Sequence, residues 1–396
     1  MQYFHYLTKQ EKEKIFYTAP QAFDRDSHKD ILAYALGATL YMPSTKENIA
    51  QDILSKKHPS LMSMVMCLED AIGDDRVEEG EQMVLQQLKQ LSIAVRNGEI
   101  DYQDIPLMFL RIRDAGQMLR ISERAQDGLH LLTGFVFPKF SLKNGITFFQ
   151  ALKQINKSLK KPMYGMPILE TKDILYKETR LESLNYIHHI LKQYDDLVLN
   201  IRVGATDFCS LFGIRRSYSM TIYDITVIRD CIGDILNYFT RVERGYVVSA
   251  PVWEYFSNGE RVLKPQLRQS PFEEIYGPAG RKIRAELLSK YIDGLIREVL
   301  LDQANGFMGK TIIHPSHILP VQALNVVSHE QYMDATSIMD NNNGKVGVVK
   351  SHYDNKMNEI KPHLSWAEKI MIKSKIYGVY HEKQNFTSLL TKKVYI

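Results

Sequence analysis

The chain has 396 residues, 44% of them apolar and 24% charged, and its 50 Lys and Arg against 46 Asp and Glu give a formal net charge of +4. This is ordinary globular composition, which excludes a disordered chain, and so thin a positive excess gives no electrostatic reason to expect nucleic acid as a partner. No apolar run approaches the ~18 residues of a membrane span, because the longest candidate, Leu61 to Leu68, is interrupted by Ser63. The opening MQYFHYLTKQEKEK lacks the charged-then-apolar order of a signal peptide. Cys67, Cys209 and Cys231 are sparse, odd in number and without CxxC spacing. These features predict a cytoplasmic protein of a reducing compartment, with neither membrane nor nucleic acid as partner.

Short runs rich in Val, Ile, Leu, Met and aromatics recur along the chain, and most are followed by a segment of helical period. In order they are TLYMP near residue 40, MSMVMCLED, PLMFLRIR, GFVFPK, PMYGMPILE, LVLNIRVG, YVVSAP and KTIIHP. Consecutive apolar positions suit strands buried on both faces, as a parallel sheet covered by helices demands. Between the runs, Val84, Leu88, Leu91 and Val95 recur at helical spacing, with Gly98 placed to stop the helix. Leu181, Leu184, Ile187 and Leu191 repeat the pattern, as do Ile225, Ile228, Ile232, Ile235 and Phe239, and then Ile283, Leu287, Tyr291, Leu295 and Val299. Eight strands with interleaved helices predict an α/β fold, a (β/α)8 TIM barrel with insertions and a C-terminal helical extension. The expected division is an N-terminal extension over 1–30, the barrel over 31–325, and a C-terminal extension over 326–396 that packs on the barrel or on a neighbouring subunit.

A barrel gathers its chemistry where strands end at the C-terminal face. Polar residues stand there: Glu69 and Asp70 after the second run, Arg111 and Arg113 after the third, Lys139 after the fourth, Glu170 after the fifth, Asp207 after the sixth and His314 at the last. Each also has a plainer reading, since strand ends leave the core and Asp207 can simply cap the next helix. GFMGKT, from Gly306 to Thr311, imitates a phosphate-binding loop, but a helix precedes it and a strand follows, which is the wrong order.

LYMPSTKEN, CLEDAI, FLRIRDA, GFVFPKF, PILET, VGATDF and GKTIIHPSHI, in this order, resemble the successive motifs of the HpcH/HpaI aldolase and citrate lyase beta-chain family. GKVGVV and NKMNEIKPHLSWAEKI are similar to its closing segment, so the resemblance covers about residues 30 to 380. Length and insertions are most similar to the divergent carbon-carbon bond lyase-like branch associated with tellurite-resistance and stress gene clusters. The resemblance implies a lyase or aldolase dependent on Mg²⁺ (or Mn²⁺) that acts through an enolate. Its substrate would be a small anionic oxo- or hydroxy-acid, free or as a coenzyme A or carrier thioester, and the protein would form a trimer or hexamer of identical chains.

On this resemblance Glu170 and Asp207 are the metal ligands, which suits the chemistry of two hard oxygen donors without a Cys or His set. Arg111 would hold a carboxylate or the developing enolate oxygen. Glu69 and Asp70 would act catalytically by orienting Arg111 or metal-bound water, or would close the rim as a salt bridge. Arg113 and Lys139 would extend the substrate contacts, with a rim salt bridge as the preferred reading of Lys139. Three positions depart from the family pattern: Cys67 where aspartate is usual, Arg113 where asparagine is common, and Asn358 at an acidic position of the tail. Arg113, a second arginine beside Arg111, would suit a substrate of higher negative charge, phosphorylated or dicarboxylic. The three departures also permit a second reading, a catalytically silent barrel serving as a ligand-binding or assembly subunit of a stress-response biosynthetic system. The segment from Val252 to Gly280 begins at the active-site mouth, and Trp253, Tyr255, Phe256, Phe272 and Tyr276 with Arg261, Lys264 and Arg268 equip it as a lid or a subunit contact. Arg111, at an open mouth, is expected to matter more to turnover than to folding.

Overall fold

The computed structural model describes residues 1–243, 245–256, 271–280 and 290–391. All eight apolar runs form parallel strands: β1 (Ala38–Pro43), β2 (Ser63–Cys67), β3 (Leu107–Arg111), β4 (Leu132–Phe137), β5 (Tyr164–Leu169), β6 (Ile201–Val203), β7 (Val248–Ser249) and β8 (Lys310–Ile312). Each pairs with the next in sequence, and β8 returns to β1. The seam between β7 and β8 closes through a parallel bridge from Ala250 to Lys310, with the Met308 N–H donating to the Val248 carbonyl at 2.8 Å. The sheet is therefore a closed (β/α)8 barrel.

Residues opposite one another in neighbouring strands share a face, so the register sorts side chains into inner and outer sets. Tyr41, Cys67, Arg111, Ile168, Arg202 and Thr311 fall on the inner face. Contacts from Arg202 on β6 to Tyr41 on β1 and Thr311 on β8, strands it does not pair with, fix that face as the barrel interior. Lys310 alternates to the outer face and is fully buried beneath the helix Lys290–Ala304. There it meets Glu298 at 2.9 Å and Asp302 at 2.7 Å. Glu298 also binds Arg216, and Tyr223 donates to Asp302 at 2.7 Å. This wall network ties the loop after β6 to the last helix of the barrel.

The helices follow the sequence pattern with one exception. Val77–Arg96 buries Val84, Leu88 and Leu91, and Gly98 follows it at φ +74°, a left-handed position that glycine adopts without strain. Thr226–Phe239 buries Ile228, Ile232, Ile235 and Phe239. In Lys177–Gln193, Leu184, Ile187 and Leu191 are buried, but Leu181 is 64% exposed because the stripe begins one turn later than the spacing suggests. Leu295 and Val299 are buried in the last barrel helix, whereas Ile283 and Leu287 lie outside the described residues.

The N-terminal segment and the C-terminal tail pack on the helix Lys29–Ala35, which precedes β1. Phe16–Thr18 pairs antiparallel with Val379–Tyr380. Tyr3 and Tyr377 pack with ring centroids 4.5 Å apart at an interplanar tilt of 40° and donate to the carbonyls of Ala35 and Tyr34. The tail forms a helical pair, His329–Asp340 against Ile360–Tyr377, with a hairpin of Val348–Lys350 and Met357–Glu359. Among the described residues no helix is long and apolar enough to cross a membrane.

Candidate functional site

Five consecutive strands deliver charged groups to one point at the C-terminal mouth of the barrel. Arg111, the last residue of β3, points its Nη2 at Glu69 Oε2 (2.7 Å), Asp70 Oδ2 (3.0 Å) and Glu170 Oε1 (3.1 Å). Lys139, just past β4, pairs its ammonium with Glu69 and with Asp70 at 3.2 Å, while its backbone N–H donates to Glu170 Oε1 at 2.8 Å. Its φ of +47° is uncommon for a side-chain-bearing residue and lets backbone and side chain face the same cluster. Glu170 follows β5 directly, and Gly204 follows β6. A Cβ at Gly204 would collide with the Glu170 carboxylate, so only glycine permits this approach. Asp207 lies one turn further on, in the helix Ala205–Ser210.

The electrostatics divide the four carboxylates three to one. Burial, together with the nearby charge of Asp207, pushes Glu170 up from 4.5 to about 7 despite the opposing pull of Arg111. Asp207 is also raised, by burial and then by the charge of Asp70. Glu69 is raised by burial and by its hydrogen bond with Asp70. Asp70 goes the other way: burial would raise it, but Glu69, Arg111 and Lys139 bring it below the ordinary aspartate value. Among the described residues Glu69, Asp70, Glu170 and Asp207 face two cations, Arg111 and Lys139, so full ionisation leaves two negative charges unbalanced there. A divalent cation fits that surplus, and hard carboxylate oxygens suit Mg²⁺ or Mn²⁺. Among the described residues no group of three or more His, Cys, Asp and Glu is placed to hold a metal ion. Arg111 Nε is buried without a hydrogen-bond partner, a donor left over for an incoming oxygen.

A family model for carbon-carbon bond lyases of the TIM-barrel fold matches residues 30–379. The chain belongs to this C-C bond lyase family. Its barrel resembles a citrate lyase from Burkholderia xenovorans LB400, with a TM-score of 0.59, 14% identity and coverage of 89% of this chain and 95% of that one. It also resembles the CitE protein of Mycobacterium tuberculosis, solved with magnesium, acetoacetate and coenzyme A, with a TM-score of 0.51, 17% identity and coverage of 85% and 97%. At these identities the likeness is one of fold. No curated protein matches the chain in sequence.

In this family member not every strand-end residue joins the cluster. Arg113 instead donates to the Leu68 carbonyl at 2.8 Å and pairs with the exposed Asp74 at 2.6 Å, fastening the loop after β2. His314 caps the short turn Pro315–His317 and stacks on Phe256 with centroids 4.4 Å apart. Cys67 lies with its Sγ 4.0 Å from Arg111 Nη1, against the cluster but outside its ion pairs. Asn358 sits in the tail hairpin and donates to Asp334 at 2.8 Å, so within this chain it is no part of the mouth. Arg111 is only 8% exposed, more enclosed than an open-mouth position suggests, so its ion pairs serve the fold as well.

The segment after β7 also differs from a free lid. Trp253 is fully buried under Arg216, whose guanidinium lies 5.0 Å from the ring, and Tyr255 donates to the Arg216 carbonyl. Phe272 is buried against Phe386, and Tyr276 reaches Thr391. These aromatics anchor the segment to its own chain; Arg261, Lys264 and Arg268 lie outside the described residues. Sequence reasoning missed Arg202 and Lys310, charges inside apolar strands. The signal was present for Lys310, since Glu298 and Asp302 stand four apart on the preceding helix.

Proposed function

We propose that this chain is a Mg²⁺- or Mn²⁺-dependent carbon-carbon lyase or aldolase working through an enolate of a small anionic oxo- or hydroxy-acid, free or as its thioester. The observation that carries this reading is the carboxylate surplus at the barrel mouth, centred on Glu170 and Asp207. In this reading those two carboxylates hold the ion. Bound there, it supplies Lewis-acid polarisation of the substrate's carbonyl or hydroxyl oxygen.

Arg111, held by three carboxylates with Nε still free, receives the substrate carboxylate or the developing enolate oxygen. Glu69 and Asp70 orient both Arg111 and Lys139. Burial works against the Lys139 charge, but Glu69 and Asp70 raise its pKa, so it serves as a fixed cation beside the substrate and not as a Schiff-base amine. Arg113 contributes through the loop it fastens. Family membership supports the reaction class, and the magnesium, acetoacetate and coenzyme A named with the M. tuberculosis protein are compatible with it. Trimeric or hexameric assembly and the tellurite and stress association rest on the sequence resemblance alone, and cytoplasmic location rests on cysteine usage and the pattern of the opening residues.

Enolate formation is testable before the substrate is known. Protein, Mg²⁺ and a panel of oxo-acids in D₂O, followed by proton NMR, should show metal-dependent loss of the signal from the carbon beside the carbonyl, abolished in Glu170→Gln. A protein that binds metal and oxo-acid without any exchange would instead favour the silent binding or assembly barrel.

A further inference from the structure

The polar chemistry of the barrel continues below its mouth. Arg202 stands on the inner face of β6, 1% exposed, and only its Nη2 finds an acceptor, Thr311 Oγ1 at 2.7 Å. Nε and Nη1 are buried without any partner. The guanidinium lies 5.4 Å from the centroid of the Tyr41 ring. Among the described residues the other buried arginines, Arg111, Arg180 and Arg216, are each paired with carboxylates, whereas no carboxylate pairs with Arg202. Burial works against its charge and lowers its pKa, opposed only by Tyr41. An arginine nevertheless stays protonated in a protein interior, so this is a buried cation without its counter-ion, an arrangement that an arriving anion completes.

Tyr41 connects this cation to the mouth. It is on the inner face and remains partly exposed. It also lies within electrostatic reach of Arg202, Arg111 and Glu170 alike. Arg202 precedes Gly204 by two positions, roughly 6–7 Å along the strand, a depth comparable with a four-carbon diacid. We propose that Arg202, seated between Tyr41 and Thr311, receives a second carboxylate of the substrate, at the end remote from Glu170 and Asp207. This rests on the reading of those two as the metal pair, and it makes Arg202 the residue that selects short diacids over monoacids with the same metal-binding end. The planar fork of arginine suits that task.

Malate and lactate share a 2-hydroxy-carboxylate end and differ in the second carboxylate, so they isolate the proposed contact. Calorimetric titration of the Mn²⁺-loaded protein should give at least about tenfold tighter binding of malate than of lactate. Arg202→Met should lose that preference with lactate binding unchanged, and Arg202→Lys should keep part of it. Without ligand, Arg202→Met should melt no lower than wild type, because it removes an uncompensated buried charge. A wild type that binds the two acids alike or binds neither, a preference that survives in Arg202→Met, or a steep loss of its melting temperature would each overturn the assignment. Failure of the wild type to bind Mn²⁺ would overturn the metal reading alone, since a malate preference that still depends on Arg202 would leave this one standing.

Discussion

Two groups of charges, one buried in the barrel wall beneath a helix and one partly exposed at the barrel mouth, are built differently. On the outside, the two fully buried carboxylates, Glu298 and Asp302, are matched by Arg216 and Lys310, with the partly exposed Glu254 also on Arg216, and Tyr223 and the Ile222 N–H take up remaining acceptor positions. At the mouth, Glu69, Asp70, Glu170 and Asp207 outnumber Arg111 and Lys139. The titration follows the difference at Glu298 and Glu170. Burial would raise Glu298, but Lys310 and Arg216 bring it below the ordinary value; Asp302, paired with Lys310, stays raised to about 6, and Glu170 is pushed up to about 7. A matched network is complete as it stands and holds the fold; an unmatched one is finished by a ligand.

The contrast breaks most sharply under substitution. Glu298→Ala takes a fully buried carboxylate from both Lys310 and Arg216, leaving them Asp302 and Glu254, and loss of one partner of a buried pair costs about 3–5 kcal/mol. Chemical denaturation should show that loss, whereas Asp207→Asn at the mouth, which relieves like-charge crowding, should leave the metal-free protein at least as stable as wild type. Equal losses would erase the distinction.

A smaller effect is expected with pH. Glu170 is raised in the folded chain, so its stabilising contribution is fully present below about 4.5 and disappears as pH rises through about 7, with Asp207 shifted in the same direction. The metal-free protein should therefore melt progressively lower between those values, and Mg²⁺ should restore it at the upper end. Asp302, raised to about 6 by burial, titrates in the same sense, so the informative quantity is the difference between wild type and Glu170→Gln in scanning fluorimetry. A difference independent of pH would remove Glu170 from the surplus.

The smallest effect belongs to Arg113→Ala. Its partner Asp74 is 90% exposed, and solvent screening limits such a pair to roughly 1 kcal/mol or less. Stability and Mn²⁺ affinity should hardly move; a clear loss of affinity would bring Arg113 back into the ligand site.

The sequence carried most of this architecture because barrel strands advertise themselves. TLYMP through KTIIHP are continuous apolar runs, and both-face burial requires that, so all eight form strands. The placement of Glu69, Asp70, Arg111, Lys139, Glu170 and Asp207 around one point was equally legible, since strand ends converge by topology. What periodicity could not reveal is where a side chain turns once it leaves its strand. Arg113 is two residues from Arg111, yet the Leu68 carbonyl and Asp74 draw it to the loop. Arg202 and Lys310 read as ordinary members of apolar runs, because a sequence does not show which strand residue faces the axis and which faces a helix. Trp253 looked like lid material, but Arg216 lies far away in sequence and is the group it packs against.

The central claim is that the unmatched carboxylates at the mouth hold a divalent cation, and Mn²⁺ titration by calorimetry tests it most directly on wild type, Glu170→Gln and Asp207→Asn. Wild type should bind one Mn²⁺, more tightly as pH rises through about 7, and each substitution should weaken binding by at least about tenfold while Arg113→Ala does not. Equal Mn²⁺ binding by wild type and both carboxylate variants, or no binding by wild type at any pH in that range, would contradict the account.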